Sequence, residues 1–257
     1  MMFMKKIYGV LLLLAMACPA LAQQDTSAAA RKKAEDWANF LKMIEERVHK
    51  DWAWMKRYEG DNEKLAPPAA NEKRVVFMGN SITEGWVSAR PEFFKGKPYV
   101  GRGIGGQTTP QMLVRFRNDV INLKPAVVII LAGINDIAEN TGPSTIETIF
   151  GNIVSMAELA KANKIRVVLS SVLPAHTISW NNKVNPVEKV AQLNALLKDY
   201  ALKNNIPYAD YYTAMVDERK GLPADLAQDG VHPTVKGYQV MEPIAEKAIA
   251  EALKRKQ

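Results

Sequence analysis

Short apolar segments alternate with amphipathic ones over most of the chain, and this alternation constrains the fold more than any other feature. Two of the segments, 126–133 and 165–174, are largely apolar, as expected for parallel strands covered on both faces. The five predicted strands cover residues 74–78, 99–102, 126–133, 165–174 and 207–212. Such a series of βαβ units predicts a doubly wound α/β domain in three layers.

Helical spacing of apolar residues fills the intervals between these strands. Helices are predicted at 109–122, 144–163, 186–204 and 234–255. Residues 27–58 are predicted to form one or two further helices, either an arm packed on the domain or an aromatic carbohydrate-binding face. Because the Pro-rich "LAPPAANEK" separates this arm from the first strand, we assign 23–70 to arm and linker and 71–257 to the main domain.

Residues 1–22 have the pattern of a secretory signal peptide. "MMFMKK" is a basic start, an apolar stretch too short to span a bilayer follows, and "ALA" at 20–22 is a small-x-small cleavage site. We therefore expect an exported protein, periplasmic or secreted, that begins at Gln23. The alternative is a lipoprotein anchored at Cys18, although the residues before it form a poor lipobox.

Charge and cysteine content exclude several classes of protein. The net charge of +7 includes Lys5 and Lys6 of the predicted signal, which leaves about +5 after cleavage. Acidic and basic residues are interspersed, so the sequence lacks the one-sided basic stripe of a nucleic-acid-binding protein. Cys18 is the only cysteine, so the mature chain has no disulfide. No segment after the signal is apolar enough to form a transmembrane helix.

The glycines Gly101-x-Gly103-x-x-Gly106 superficially match a dinucleotide-binding fingerprint. That fingerprint belongs at the first βα turn and needs an acidic residue at the end of the next strand. Here the glycines follow the second predicted strand, and the nearest acid downstream, Asp119, lies within a predicted helix. A nucleotide site is therefore not favoured. Gly105 and Gly106 instead leave main-chain N–H groups accessible, which suits an oxyanion.

Two polar residues directly follow buried strands. Ser81 lies in "MGNSITEGW" after the first strand, where Gly79 allows a tight turn. The nucleophile elbow G-x-S-x-G is absent because position 83 is Thr. Asn135 lies in "AGINDIAEN" after the third strand, and its amide can donate to an oxyanion without adding charge. Taken alone, each residue has an alternative interpretation, a helix N-cap for the serine and an Asx-turn for the asparagine.

Asp229 and His232 lie three residues apart in "QDGVHPTVKGY" near the C-terminus. The carboxylate can reach one imidazole nitrogen and leave the other free to face a serine, although an Asp close to a His is often only a turn. Ligands of doubly wound sheets bind at the carboxyl ends of the strands. The order of these residues along the chain therefore predicts a nucleophilic site at that edge.

Taken in order, "GNSIT", "GIGGQTT", "GIND" and "DGVHP" resemble the four sequence blocks of the SGNH, or GDSL-type, hydrolase family. The resemblance covers residues 74 to about 245. It implies a flavodoxin-like three-layer α/β/α sandwich with a five-stranded parallel sheet. It also implies these roles: Ser81 as nucleophile, Asp229 and His232 as its triad partners, and Ser81, Gly106 and Asn135 as the oxyanion hole.

Two positions depart from the family pattern. Asn80 replaces the usual Asp before the serine, and Gln107 stands where Asp is frequent. Neither belongs to the implied triad, so the departures affect the pocket and not the reaction class. The resemblance implies neither a metal nor an organic cofactor, and the sequence has no HExxH zinc pattern.

The expected activity is hydrolysis of short-chain, foremost acetyl, esters on small molecules or polysaccharides. Asn80 and Gln107 are candidates for the substrate pocket, as are three further residues. Trp86 and Trp180 can stack on a sugar ring, with core packing or a lid as their more ordinary role, and His176 is a pocket residue or a plain loop residue. The alternatives are a lipid acylhydrolase and a catalytically silent glycan-binding module.

Overall fold

The computed structural model describes residues 28–255. The chain divides into two units between Arg47 and Val48. Residues 28–47 of the first unit belong to helix α1 (Ala28–Lys50), and residues 48–50 of that helix belong to the second unit. Trp37 and Phe40 stack on each other along α1 with ring centroids 5.4 Å apart, and both are exposed. The predicted signal peptide lies outside the described residues, so export stays a prediction.

A five-stranded parallel sheet forms the centre of the second unit, with the strand order β2-β1-β3-β4-β5. The strands are β1 (Val75–Gly79), β2 (Tyr99–Gly103), β3 (Val127–Leu131), β4 (Arg166–Ser170) and β5 (Tyr208–Ala209). Every residue of β1 and β3 is buried, because helices cover both faces of the sheet centre. The predicted three-layer α/β fold is confirmed.

Three strands, β3, β4 and β5, are shorter than predicted, and side chains account for the ends of the last two. The predicted strand 207–212 ends at Ala209 because the Asp210 side chain accepts a hydrogen bond from the Thr213 N–H and thereby caps the next helix. Beyond Ser170, the main chain of Val172 bonds to a side chain instead of a strand, since both its N–H and its carbonyl pair with the amide of Asn194.

The helices of the second unit follow the predicted order. They are α2 (Glu59–Lys64), α3 (Ser81–Ala89), α4 (Pro91–Phe94), α5 (Thr109–Asp119), α6 (Ile134–Ile137), α7 (Ile146–Ala162), α8 (Val187–Lys203), α9 (Tyr211–Met215) and α10 (Val235–Lys254), with 3₁₀ helices at Met55–Tyr58 and Ile121–Leu123. Side-chain caps at Thr145 and Thr234 start α7 and α10. Among residues 28–255, no helix combines the length and apolar character needed to cross a bilayer.

The register of the sheet brings three loops to one edge. Gly79 at the end of β1 lies level with Gly103 of β2 and Leu131 of β3, so the chain leaves all three strands at the same height. A Cβ at Gly103 would collide with the main-chain nitrogen of Glu84 in the first turn of α3. Glycine at this position therefore lets the β2 loop lie directly against the start of α3.

Candidate active site

Ser81 occupies the first turn of α3, immediately after β1. Asn80 caps this helix, because its side-chain oxygen accepts a hydrogen bond from the Ile82 N–H at 3.2 Å. The N-cap interpretation of Ser81 is therefore wrong, since the preceding residue performs that task. The Ser81 hydroxyl is instead 2.9 Å from Nε2 of His232, and the serine is partly exposed.

Asp229 and His232 form a hydrogen-bonded pair on the loop before α10. Nδ1 of His232 lies 2.5 Å from one carboxylate oxygen of Asp229. The other oxygen accepts the N–H groups of Val231 and His232 at 3.0 and 2.7 Å, across a turn that Gly230 makes at φ 80°. Burial alone would raise the pKa of Asp229, but the hydrogen bonds from His232 and Val231 outweigh it and lower that pKa. The carboxylate therefore stays ionised and orients the imidazole.

Three potential donors to an oxyanion, on Ser81, Gly106 and Asn135, lie shortly after the ends of β1, β2 and β3. Gly106 adopts φ 75°, which glycine alone adopts without strain. In the part of the chain that the structure describes, the N–H groups of Ser81 and Gly106 have no hydrogen-bond acceptor. The Asn135 amide donates one hydrogen to the Gln107 carbonyl at 2.9 Å. Among the described residues its oxygen accepts no main-chain N–H, so the Asx-turn interpretation is wrong for this side chain. Its second N–H is left for a ligand.

Asp136 fixes the loops after β2 and β3 relative to each other. Its carboxylate accepts the N–H of Thr109 at 2.9 and 3.0 Å and the Thr109 hydroxyl at 2.6 Å. Burial raises the pKa of Asp136 to about 6, against the lowering effect of the Thr109 hydrogen bonds. Sequence reasoning missed this residue, although an acid next to Asn135 in "GIND" was a signal for it.

Trp180 lies beside His232, and His176 is an exposed residue of the loop after β4. The Trp180 ring centroid is 5.8 Å from that of His232, and 43% of this tryptophan is exposed. Its Nε1 donates to Oδ1 of Asn140 at 2.8 Å, and Nδ2 of Asn140 donates to the Gly106 carbonyl at 3.1 Å. Asn140, which sequence reasoning missed, thus connects Trp180 to the glycine loop. His176 is exposed, and its Cβ faces the main chain at Gly221.

The remaining pocket candidates, Asn80, Trp86 and Gln107, are buried, which corrects the expectation that they line a substrate pocket. Because α3 begins at Ser81, Trp86 is a helical residue, and its ring stacks on Phe93 and Tyr238 with centroids 5.3 and 5.6 Å away. Core packing, the alternative interpretation, holds for it.

Gln107 faces inward as well, because both ends of its amide have main-chain or side-chain partners. Its nitrogen donates to the Ala53 carbonyl at 2.7 Å, and its oxygen accepts from Nε of Arg115 at 2.5 Å. A glutamine held in this way supports the loop from behind and does not offer its side chain to a ligand.

Arg115 is a further residue that sequence reasoning did not identify. Its buried guanidinium donates to the carbonyls of Gly79 and Arg102 at 2.9 and 3.0 Å and pairs with Asp119 at 2.9 Å. Burial lowers the pKa of Arg115, and the carboxylate of Asp119 opposes that effect. The cation ties together the ends of β1 and β2, and an Arg–Asp pair four residues apart in a predicted helix was the available signal.

A metal site is a different use for acidic and imidazole side chains. Across residues 28–255, no three His, Cys, Asp or Glu side chains come together in a group that could hold a metal ion. The arrangement described above instead combines a hydroxyl, a carboxylate-backed imidazole and N–H donors, which is the set that acyl transfer needs.

The chain is similar to several known proteins. The model of the GDSL-like lipase/acylhydrolase family matches residues 77–240, a region that includes the whole site. Human platelet-activating factor acetylhydrolase IB subunit alpha2 is 27% identical over 213 residues, which cover 78% of this chain and 86% of that protein. An acetylxylan esterase of Geobacillus stearothermophilus is 28% identical over 148 residues, which cover 55% of this chain and 67% of that enzyme. The crystal structure of a GDSL-like lipase from Bacteroides thetaiotaomicron, 54% identical, covers 79% of this chain and 100% of its own, with a TM-score of 0.77.

Proposed function

Since the chain belongs to the GDSL-like lipase/acylhydrolase family and is a carboxylic ester hydrolase, we propose that it removes short acyl groups, foremost acetyl, from carbohydrates. The observation that carries the proposed mechanism is the hydrogen-bonded series Ser81–His232–Asp229, with heavy-atom distances of 2.9 and 2.5 Å. The reaction proceeds through an acyl-enzyme on Ser81.

In the first half of the reaction, Nε2 of His232 takes the Ser81 proton as the oxygen attacks the ester carbonyl. The carboxylate of Asp229 keeps the proton of the neutral ring on Nδ1, so Nε2 is free to accept, and it then stabilises the imidazolium. Collapse of the tetrahedral intermediate breaks the bond to the alcohol, which leaves with the proton from His232. Water repeats the sequence, releases the acid and restores Ser81.

The negative oxygen of the intermediate is held by the N–H groups of Ser81 and Gly106 and by the free N–H of Asn135. Replacing Asn135 with alanine should lower kcat by about 10²- to 10³-fold and change KM little, because this donor acts on charge that develops only in the transition state. Steady-state kinetics with p-nitrophenyl acetate measures the loss.

Asn181→Ala is the matched control, because it removes a similar amide whose nitrogen donates to the Ala138 carbonyl at 3.0 Å. A kcat for Asn135→Ala equal to that of this control would remove Asn135 from the oxyanion hole.

Two observations support a short acyl group on a polar alcohol. Two of the similar proteins, the acetylhydrolase and the acetylxylan esterase, act on acetyl esters by name. The site is open, since the side chains of His232 and Asp229 are 39% and 40% exposed.

Trp180 offers a flat, exposed ring next to His232, where the alcohol of an ester would leave. Trp180→Ala should raise KM about tenfold for an acetylated xylo-oligosaccharide, because a sugar ring loses its stacking surface. Turnover of ethyl acetate, which has no ring to stack, should change little. Trp180→Phe is the matched control, since it keeps an aromatic face and loses only the hydrogen bond to Asn140.

A panel of p-nitrophenyl esters from two to twelve carbons tests the acyl length in parallel. The proposal expects the acetyl ester to react fastest. Preference for the longest chains would overturn the short acyl group. A lipid acylhydrolase is the second candidate, which the similarity to platelet-activating factor acetylhydrolase supports, and faster hydrolysis of an acetylated lipid than of an acetylated xylo-oligosaccharide would favour it. Failure of a fluorophosphonate to label Ser81 in folded protein would favour the silent glycan-binding module.

The proposal also includes export, so that the enzyme meets polysaccharide outside the cytoplasm. The support is the sequence of residues 1–22, with its basic start, short apolar stretch and small-residue cleavage site. Recovery of the protein from the periplasm or medium, beginning at Gln23, is the expected result.

A further inference from the structure

The glycine loop that follows β2 is held from the side of α3 by Glu84. Oε2 of this glutamate accepts the N–H of Gly105 at 2.8 Å. Glu84 lies three residues beyond Ser81 on the same helix. Gly105 and Gly106 are the central residues of a turn that the Gln107 N–H closes on the Ile104 carbonyl at 3.3 Å. The hydrogen bond from Gly105 to Glu84 therefore helps to hold the turn that presents the Gly106 N–H.

This arrangement places a carboxylate close to the reacting groups. A Cβ built on Gly105 would lie 3.1 Å from Oε2 of Glu84 and 3.9 Å from Cβ of Ser81. A full negative charge at that position repels the oxyanion that forms on the ester and raises the energy of the transition state. The site therefore needs the oxygen of Glu84 as an acceptor, while its charge is a disadvantage.

Arg57 supplies the opposite charge. Its Nη2 lies 3.1 Å from the other carboxylate oxygen of Glu84, and the two side chains are 34% and 36% exposed. The guanidinium also lies over the Tyr58 ring, 4.7 Å from the centroid. The pair is therefore held in place by an aromatic face as well as by charge.

The segment that carries Arg57 contacts the glycine loop at several other points. The Tyr58 hydroxyl donates to the Gly103 carbonyl. The carbonyls of Trp52 and Ala53 accept the side-chain amides of Gln111 and Gln107 at 2.9 and 2.7 Å. Residues 52–58 thus form one side of the support of the loop that presents Gly106.

We infer that Glu84 and Arg57 are positioning residues for the oxyanion hole: Glu84 holds the turn formed by Gly105 and Gly106, and Arg57 cancels the charge of Glu84. Neither residue touches the substrate. The inference rests on the proposed function, since it requires the Gly106 N–H to bind the oxyanion.

Neutral variants separate the hydrogen bond from the charge. Arg57→Gln should lower kcat for p-nitrophenyl acetate about tenfold at low salt, with KM little changed, because it leaves the carboxylate uncompensated. Glu84→Gln keeps an oxygen for the Gly105 N–H and should retain kcat within about twofold of the wild type. Glu84→Ala loses the acceptor and should lower kcat about tenfold.

The double variant Arg57→Gln/Glu84→Gln is the decisive measurement. If Arg57 acts by cancelling charge, the second substitution should restore kcat to the level of Glu84→Gln. The deficit of Arg57→Gln alone should also shrink in 1 M NaCl, where charges are screened. A purely structural role predicts instead that the two losses add and that salt has no effect, and this result would overturn the inference.

Two controls make each outcome interpretable. Arg90→Gln breaks an ion pair with Glu242 at 2.7 Å at the far end of α3 and should leave kcat unchanged. Arg57→Lys keeps the charge and should behave as the wild type. If Arg57→Gln does not fold, the comparison of Glu84→Gln with Glu84→Ala still tests the hydrogen bond, and equal activities would contradict it. If Ser81→Ala loses activity while the Arg57 and Glu84 variants keep the kcat of the wild type, the inference is refuted and the proposed function is not.

Discussion

Replacing Ser81 with alanine should lower kcat for p-nitrophenyl acetate by roughly 10⁶-fold, because the covalent pathway needs the oxygen that lies 2.9 Å from Nε2 of His232. The thermal unfolding temperature should change little, since the partly exposed hydroxyl is not the helix cap; Asn80 is. Residual hydrolysis by the N–H donors alone should remain above the rate in water.

Ser88→Ala is the matched control for this prediction. Ser88 lies on the same helix, is exposed, and donates only to helix carbonyls, including that of Gly85 at 3.1 Å. Its kcat should equal that of the wild type, and a fluorophosphonate should still label the protein. A loss of less than about a hundredfold in Ser81→Ala, with the protein folded, would rule out Ser81 as the nucleophile.

Replacing Asp229 with asparagine should lower kcat by about 10⁴-fold, the second largest effect that we expect. The asparagine oxygen can still accept the N–H groups of Val231 and His232, so the loop should keep its shape. Its amide nitrogen donates, however, and a donor facing Nδ1 favours the tautomer in which Nε2 carries the proton. In that tautomer His232 cannot accept the proton of Ser81.

Asp225→Asn provides the comparison for Asp229→Asn. Asp225 lies on the same stretch of chain, and its carboxylate pairs with Lys236 at 2.5 Å instead of with a histidine. Only Asp229→Asn should lose activity, while both variants should unfold near the wild-type temperature. A loss of tenfold or less in Asp229→Asn would mean that another contact orients the imidazole.

The order of strands and helices was largely predictable from local pattern. Apolar runs such as Val127–Leu131 are legible in sequence because both faces of a central parallel strand are buried, which leaves no polar alternation. The ends of β4 and β5 were not predictable from the sequence. A side chain distant in sequence determines the end of β4, and one just beyond the strand determines the end of β5. Asn194 takes the main-chain bonds of Val172, and the cap at Asp210 starts a helix early.

The candidate site divides in the same way. Residues in the four sequence blocks could be named because each follows a strand directly and carries a reactive or donating group. The residues that line the pocket could not be named from the sequence. Whether a side chain faces a ligand depends on its position around the helix axis and on neighbours from other segments of the chain. Trp86 was a candidate for stacking on a sugar but lies in the aromatic core, and Gln107 faces Arg115. Asn140 donates to the Gly106 carbonyl, and Arg57 pairs with Glu84, and both of these partners are far away in the chain.

The amino-acid sequence by itself determined the α/β architecture and the chemical identity of the reacting groups. Both depend on patterns among residues that are close together in the chain. These patterns are the period of the hydrophobic residues, the glycines in the turns, and the short separation of Asp229 from His232. Only the tertiary structure decided which of the polar side chains meet. Contact between Ser81 and His232 joins positions 151 residues apart, and such pairing depends on sheet order and register, which no local pattern encodes.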